Sequence, residues 1–279
     1  MERLSYFRDF KLNMEQPIII TDTLKGVGTD SYKDYLAHAL CLEGTCRFQW
    51  NGVTGMFRKG DIMIMRKGKL LEEVEPKSGF KVMVIYVLAS FIELCTPQNN
   101  YGMKGSMALF LNPVMRLTDE QFAICKTDFE AVAFRLAQTD NHFRRDILIN
   151  VVQTMILDFF DFHSHLYGET DITSQNASVM SRFMAMLEAG DYRQHRDLAY
   201  YADRLCVSAK YLSEVSKKSS GHAANFWISR YTALDISRLL RDRSLSFVEI
   251  ADLFGFSSPA YFTRYVQHNL GMSPTDYRD

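Results

Sequence analysis

The C-terminal part of the chain repeats one pattern, as YADRLCVS at residues 201–208 and as IADLFGFS at residues 250–257. The first copy ends on Gly221 and the second on Gly271. Each copy predicts a helix, a tight turn and a second helix whose N-terminus is capped by a serine. That order of elements is the helix-turn-helix, which lays its second helix in the major groove of DNA. Two copies predict one protein that reads two stretches of duplex.

Each predicted helix-turn-helix has apolar residues at helical spacing that form a small core. Helix-turn-helix 1 covers about residues 196–218, and helix-turn-helix 2 covers about residues 247–268. The predicted core residues are Leu198, Ala202, Leu205, Val207, Leu212 and Val215 in the first copy, and Ile250, Ala251, Phe254, Phe256, Phe262 and Val266 in the second. Helix-forming residues and apolar spacing predict a helix over residues 226–240. Such a rigid connector could hold the two helix-turn-helix units at the separation of successive major grooves, roughly 34 Å.

The two copies differ in their turns and in their charge. Gly255 suits the left-handed backbone that such a turn requires, and its counterpart is Cys206. We therefore expect the first turn either to carry mild strain or to use a different geometry. The first copy also carries Lys210, Lys217 and Lys218 on one predicted helix. A local basic face of this kind favours DNA even though the whole chain has a net charge of −1.

The starts of the two recognition helices carry candidate caps. Ser208 is the predicted cap in the first copy and Ser257 in the second. The second copy has one extra residue before its recognition helix, Ser258 or Pro259. Pro259 fits the first helical turn, where a missing N–H costs nothing.

Residues 247–278 resemble the signature region of AraC/XylS-type transcription regulators. The matching positions are Ile250-Ala251, Gly255-Phe256-Ser257, Tyr261-Phe262, Arg264, Gly271-Met272-Ser273-Pro274 and Tyr277-Arg278. The match continues back through Tyr200-Tyr201-Ala202-Asp203 and Lys210-Tyr211-Leu212-Ser213 to a helix near Met180–Leu187, over about the last hundred residues. The resemblance implies an all-α DNA-binding domain over residues 175–279 with two helix-turn-helix units.

The resemblance also implies which recognition-helix residues reach base edges. They are Ala209, Lys210, Ser213 and Lys217 in the first copy, and Pro259, Ala260, Thr263 and Arg264 in the second. Arg264 and Lys210 are chemically suited to O6 and N7 of guanine. The hydroxyls of Ser213 and Thr263 suit either bases or phosphates. The alternative for each residue is a phosphate contact or plain exposure to solvent.

The stretch from about residue 18 to 90 is predicted to be rich in β-strands. The predicted strands cover residues 36–42, 45–50, 61–65 and 80–87. Asn51-Gly52 between two of them is a good hairpin turn, and the spacing predicts a small sandwich or barrel. Residues 37–86 also resemble the cupin-like barrel that often precedes this DNA-binding unit, with Gly60-Asp61 and Lys67-Gly68 at its turns.

The predicted barrel lacks the ligands of a metal-binding cupin. Such a cupin needs a histidine near the position that Leu71 occupies, and the strands supply only His38. We therefore predict no metal and no cofactor. His38, Trp50 and Tyr86 are candidates for lining a small-ligand pocket, or are core residues with satisfied polar tips. His163-Ser164-His165 is predicted to lie at a hydrated helix end.

Helical periodicity covers about residues 117–167. Thr118 opens it with the capping-box sequence TDEQ. The segment 147–160 is apolar around most of a helix, which predicts either a dimer interface or packing on several sides within one chain. The polar, turn-rich residues 168–174 are the predicted linker.

The remaining composition is that of a cytoplasmic protein. Five scattered cysteines without CxxC spacing predict free, largely buried thiols in a reducing compartment. We find no signal peptide and no apolar run that is long enough to span a bilayer. The sequence shows no nucleophile–base pairing, phosphate loop or paired carboxylates that would indicate an enzyme.

These observations predict an α+β protein with a cupin-like β-barrel domain over residues 1–167, for sensing and dimerisation, followed by the all-α DNA-binding domain. We predict a cytoplasmic homodimeric transcription regulator, an activator, that binds double-stranded DNA in successive major grooves. RNA polymerase and a small-molecule effector are further predicted partners. The alternatives are a cupin-fold enzyme with an accessory DNA-binding domain, and an interaction protein that does not bind DNA.

Overall fold

A computed structural model describes residues 16–97, 107–167 and 173–278. The chain divides into two units, Met1–Glu169 and Thr170–Asp279. The first unit combines antiparallel sheets with helices, and every regular element described in the second is a helix. The predicted α+β class is confirmed.

Two antiparallel sheets form the β-structure of the first unit. Its strands are β1 (Ile18–Thr21), β2 (Tyr35–Glu43), β3 (Thr45–Trp50), β4 (Val53–Arg58), β5 (Asp61–Met65), β6 (Leu71–Pro76), β7 (Lys81–Leu88) and β8 (Val114–Arg116). The larger sheet has the order β1-β7-β2-β5-β8, and the smaller has the order β4-β3-β6. The four predicted strands correspond to β2, β3, β5 and β7, and the other strands were not predicted individually.

A two-residue hairpin joins β3 and β4, as predicted. Asn51 and Gly52 have φ angles of 57° and 74°, and Trp50 pairs with Val53 across the turn. Asparagine and glycine tolerate this left-handed backbone best. The turn fixes the register of the hairpin, so that Phe48 and Trp50 both point into the core.

The larger sheet is covered on both faces. Its face toward the smaller sheet contributes to a core that includes Ala39, Phe48, Trp50, Phe57, Met63 and Val84. Its other face packs against helices in a core that includes Leu40, Ile62, Ile85, Phe129, Val152 and Phe159. Strand β5 is buried along its whole length, which explains why its sequence is a continuous apolar run rather than an alternating one.

The helices of the first unit pack on the larger sheet. They include α1 (Ala89–Cys95), α2 (Asp119–Ala137) and α3 (Arg144–Tyr167). Helix α2 opens with the predicted capping box. Thr118 Oγ1 accepts a hydrogen bond from the backbone N–H of Gln121 at 3.2 Å, and Gln121 Oε1 accepts one from the Thr118 N–H at 3.0 Å. The two bonds satisfy donors that the start of a helix otherwise leaves open.

Helix α3 buries most of its apolar residues within its own unit. Val152, Met155 and Phe159 are buried against the larger sheet and the neighbouring helices. The prediction of a hydrated end at residues 163–165 is wrong for His163. This residue lies one turn after Phe159 on the covered face and is buried. His165 is exposed, and its Nδ1 lies 2.9 Å from the carbonyl oxygen of Asp161.

The second unit consists of short helices around one longer helix. They are α4 (Ser174–Ala189), α5 (Leu198–Leu205), α6 (Ala209–Ser220), α7 (Ala224–Arg241), α8 (Phe247–Leu253), α9 (Pro259–Leu270) and α10 (Pro274–Arg278). Residues 168–172 of the predicted linker lie outside the described residues. Helix α4 begins within the rest of that linker, because Thr173 caps it by accepting from the N–H of Asn176. No helix in the described ranges is long and apolar enough to cross a membrane.

Candidate nucleic-acid interface

Helices α5 and α6 form the first helix-turn-helix. Asp197 caps α5 by accepting from the N–H of Tyr200 at 2.9 Å, so the helix starts later than the predicted residue 196. Ser208 caps α6 by accepting from the N–H of Tyr211 at 3.1 Å, as predicted. Both caps satisfy amides that a helix start leaves without partners.

Helices α8 and α9 form the second helix-turn-helix. The predicted cap at Ser257 is wrong, because Ser258 accepts the hydrogen bond from the N–H of Tyr261 at 3.2 Å. Pro259 follows at the first helical position, as predicted. Ser257 is therefore the extra residue that lengthens the second turn.

The two turns nevertheless share one backbone geometry. Cys206 has a φ of 58° and Gly255 a φ of 59°, both in the left-handed region. In each copy the residue that follows donates to a carbonyl five positions back, at 3.0 Å in the first turn and 2.9 Å in the second. This is the Schellman arrangement. The first turn therefore carries the strain, because Cys206 is not a glycine. The prediction of a buried thiol is wrong for Cys206, which is exposed.

Relieving this strain gives a measurable prediction. Cys206→Gly is expected to raise the free energy of unfolding by about 1 kcal/mol, because left-handed backbone costs a non-glycine residue roughly 1–2 kcal/mol. Gly255→Ala should lower it by about 1–2 kcal/mol, and its Cβ would lie only 3.1 Å from Oε1 of Gln194. Urea titration followed by Trp227 fluorescence in a Trp50→Phe background measures both changes. A Cys206→Gly variant less stable than the parent would contradict the strain.

Apolar contacts hold each pair of helices together. The buried residues of the two predicted cores are Ala202, Leu205, Leu212, Val215, Ile250, Ala251, Phe254, Phe256, Phe262 and Val266. Leu198 and Val207, which were also predicted there, are half-buried. Tyr201 was not predicted but is fully buried, and its hydroxyl donates to the carbonyl of His195 at 2.9 Å.

The outer faces of α6 and α9 carry the residues that were predicted to reach DNA. Ala209 and Ser213 are half-buried, whereas Lys210, Lys217, Pro259, Ala260, Thr263 and Arg264 are exposed. Lys210 lies 3.9 Å from Glu214 in an exposed pair, which water and salt screen strongly. Within the described residues, no ion pair involves Lys217 or Arg264. Contact of the eight residues with DNA stays a prediction.

Alignment of α6 and α9 on their serine caps adds two residues to this face. Lys217 then corresponds to Gln267, and Glu214 occupies the position of Arg264. Gln267 and His268 are exposed and lie one helical turn beyond the predicted residues of α9. The sequence could have indicated both residues, because they lie four positions after Thr263 and Arg264 and so on the same helix face.

The connecting helix α7 is anchored through a buried carboxylate. Asp235 Oδ2 accepts from Nε of Arg193 at 2.7 Å and from the Tyr192 hydroxyl at 3.0 Å, and Oδ1 accepts from Arg238 at 2.9 Å. Burial alone would raise the pKa of Asp235, but the two guanidinium groups hold it below its ordinary value. The network ties the segment before α5 to the middle of α7.

The three candidate pocket residues of the first unit are buried, and His38 lies on the opposite face of the larger sheet from Trp50 and Tyr86. Trp50 Nε1 donates to the carbonyl of Phe110 at 2.9 Å, and Tyr86 stacks on Tyr32 with ring centroids 4.2 Å apart. His38 faces the helices on the other side of the larger sheet, and burial lowers its pKa to about 4. Their role in lining a ligand pocket stays a prediction. In the described ranges, no three His, Cys, Asp or Glu side chains are grouped to hold a metal.

Comparison with known proteins places the C-terminal residues in a family. Residues 201–279 match the family described as a helix-turn-helix domain. No curated protein sequence matches the chain. Among solved structures, ToxT from Vibrio cholerae strain SCE256, bound to an unsaturated fatty acid, is 12% identical with a TM-score of 0.43 over 94% of this chain and 93% of that chain. The AraC-like transcriptional activator CuxR is 12% identical with a TM-score of 0.37 over 82% of this chain and 74% of that chain. At these scores the likeness does not extend to function.

The C-terminal unit thus contains a helix-turn-helix domain of the AraC type, as the resemblance of residues 247–278 implied. This domain supports a role in DNA-binding transcription regulation.

Proposed function

We propose that the protein binds a specific site on double-stranded DNA by inserting α6 and α9 into two successive major grooves, and that it activates transcription from that site. The resemblance to AraC/XylS-type regulators supports activation through contact with RNA polymerase. The proposal places the protein in the cytoplasm, where it reaches chromosomal DNA.

One observation carries this proposal, namely two equally long capped recognition helices on one buried connector. Helices α6 and α9 each have 12 residues and end on a left-handed glycine. Helix α7 between them has 18 residues, a length of about 27 Å at 1.5 Å per residue. Side chains and turns at both ends add to that length. The resulting separation of the two recognition helices suits successive major grooves, which lie roughly 34 Å apart.

Selection from a library of random duplexes tests the proposal. The full-length protein should enrich a motif with two short half-sites whose centres lie about 10–10.5 base pairs apart. Mapping of bound sites in the cell should return the same motif upstream of regulated genes, and transcription in vitro should rise on those templates. Enrichment of no motif would contradict specific binding, and repression on every template would contradict activation.

We propose in addition that α2 and α3 supply a dimer contact. Phe134, near the end of α2, is 62% exposed, and Phe143, just before α3, is 63% exposed. Large apolar side chains with this exposure on neighbouring elements are typical of a surface that a second subunit covers. The buried residues of α3 already have partners inside the first unit, so the contact would use the outer side chains.

Phe134→Asp is expected to weaken dimerisation at least about tenfold, because burial of one phenylalanine contributes about 1.5–3 kcal/mol. Sedimentation velocity over a range of protein concentrations measures the change in Kd. Val53→Asp is the matched control, since Val53 is 60% exposed on strand β4 and distant in sequence from α2 and α3. A dimer that Phe134→Asp leaves intact, or a wild-type protein that is monomeric throughout, would exclude this interface.

A further inference from the structure

A short segment in front of α5 contacts the second helix-turn-helix. Nε2 of Gln194 donates to the carbonyl of Leu253 at 3.0 Å. Arg196 donates through Nη1 to the carbonyl of Phe254 and through Nη2 to that of Gly255 at 3.5 Å. The first carbonyl belongs to the last residue of α8, and the other two belong to the turn that follows. The helix dipole concentrates partial negative charge at this end of a helix. A cation is therefore well placed there.

Arg196 also packs against the ring at the centre of that turn. Its Cζ lies 4.2 Å from the ring centroid of Phe256, the residue that follows the left-handed Gly255. Its Nη1 donates to the carbonyl of Arg193 at 3.0 Å. The next residue, Asp197, is the cap of α5. One guanidinium group thus lies between the start of the first helix-turn-helix and the turn of the second.

We propose that Arg196, assisted by Gln194, is a positioning residue that fixes the rotation of the second helix-turn-helix relative to the first. By doing so it sets the half-site spacing that the protein accepts. This inference rests on the proposed function. Helix α7 holds the two helix-turn-helix units apart along its axis. Contacts beside that axis restrict the rotation of one helix-turn-helix against the other.

The spacing of a DNA site is a direct measure of this rotation. Each base pair inserted between half-sites turns the second groove by roughly 35° and moves it along the helix axis, since a full turn takes about 10–10.5 base pairs. A protein with a fixed angle between its readers accepts one spacing. A protein with a loosened angle accepts several spacings and binds the original one less tightly.

The experiment uses the full-length protein and the duplex selected as described above, with one or two base pairs inserted or deleted between the half-sites. Fluorescence anisotropy gives Kd for each spacing. We expect the wild type to lose about tenfold in affinity per base pair, and Arg196→Ala to lose only about threefold. Affinity for a duplex with one isolated half-site should not change, because the guanidinium group of Arg196 makes its contacts within the protein. A general loss of structure would lower both affinities.

Arg182→Ala is the matched control, because Arg182 also donates to a backbone carbonyl, that of Arg204 at 3.4 Å, but makes no bond to the second helix-turn-helix. It should keep the wild-type spacing profile. Gln194→Ala is the second variant and decides the matter if circular dichroism shows Arg196→Ala to be unfolded. A wild-type profile in the folded variant overturns the inference and leaves the proposed function intact. If the wild type selects no motif at all, the proposed function and this inference are both overturned.

Discussion

Replacement of Asp235 by alanine is expected to destabilise the second unit by about 3 kcal/mol, because loss of one partner from a buried ion pair typically costs 3–5 kcal/mol. The lower end applies here, since the side chains of Arg193 and Arg238 keep 38% and 51% exposure and can turn toward water. The Tyr192 hydroxyl also loses its acceptor. The segment before α5 would then separate from α7, and both helix-turn-helix units would lose their shared support.

Urea unfolding can isolate this effect because the chain has only two tryptophans. In a Trp50→Phe background, fluorescence reports Trp227, which is fully buried in α7. Asp252→Ala is the control, since Asp252 is an exposed carboxylate on α8, and surface changes of this kind usually stay within about 0.5 kcal/mol. Equal stability of the Asp235 and Asp252 variants would show that the network contributes nothing.

The same carboxylate predicts the direction of the acid response. The pKa of Asp235 is lower in the folded protein than its ordinary value, so its stabilising effect is complete above that value. As the pH falls below about 4, the unfolded chain takes up a proton more readily than the folded one, and stability is lost. The Asp235→Ala variant should lack this part of the acid sensitivity.

Local signals in the sequence predicted most of the second unit. Capping serines, a proline at a first helical position and apolar residues three or four apart each act within one or two turns of helix, so a short window contains them. The misplaced cap shows where this fails. Ser257 and Ser258 are adjacent and chemically identical, and only the length of the turn decides between them. That length depends on how α9 packs against α8.

The contacts that the sequence did not predict join residues far apart in the chain. Arg196 meets the turn of α8 across some 58 positions, and no local pattern encodes such a contact. In the first unit, β4 and β6 escaped individual prediction because they are the outer strands of the smaller sheet and expose many of their residues. His163 was placed in solvent because it lies near the end of a helix, whereas its burial comes from the elements packed against α3.

The two recognition helices are expected to contribute unequally to DNA binding. Arg264→Ala should weaken binding to the selected duplex by about 1–3 kcal/mol and relax the preference at one base pair, as loss of a bidentate guanine contact does. Lys217→Ala together with Lys218→Ala should weaken binding to every duplex alike. The double variant should also reduce the slope of log K against log salt by about 0.9 per lost phosphate contact. Kd measured on selected and random duplexes at several salt concentrations separates the two effects.

This division follows from the positions that the two helices do not share. Glu214 stands on α6 where Arg264 stands on α9, and its carboxylate near Lys210 weakens the charge available for a guanine contact. The free cations of α6 are therefore the lysines of its last turn, which suit phosphates better than base edges. Lys59→Ala, an exposed lysine of the first unit, should change neither affinity nor salt slope. If Arg264→Ala instead weakens binding to random duplexes as much as to the selected one, Arg264 contacts a phosphate, and α9 reads its half-site through Thr263, Gln267 or the shape of the groove.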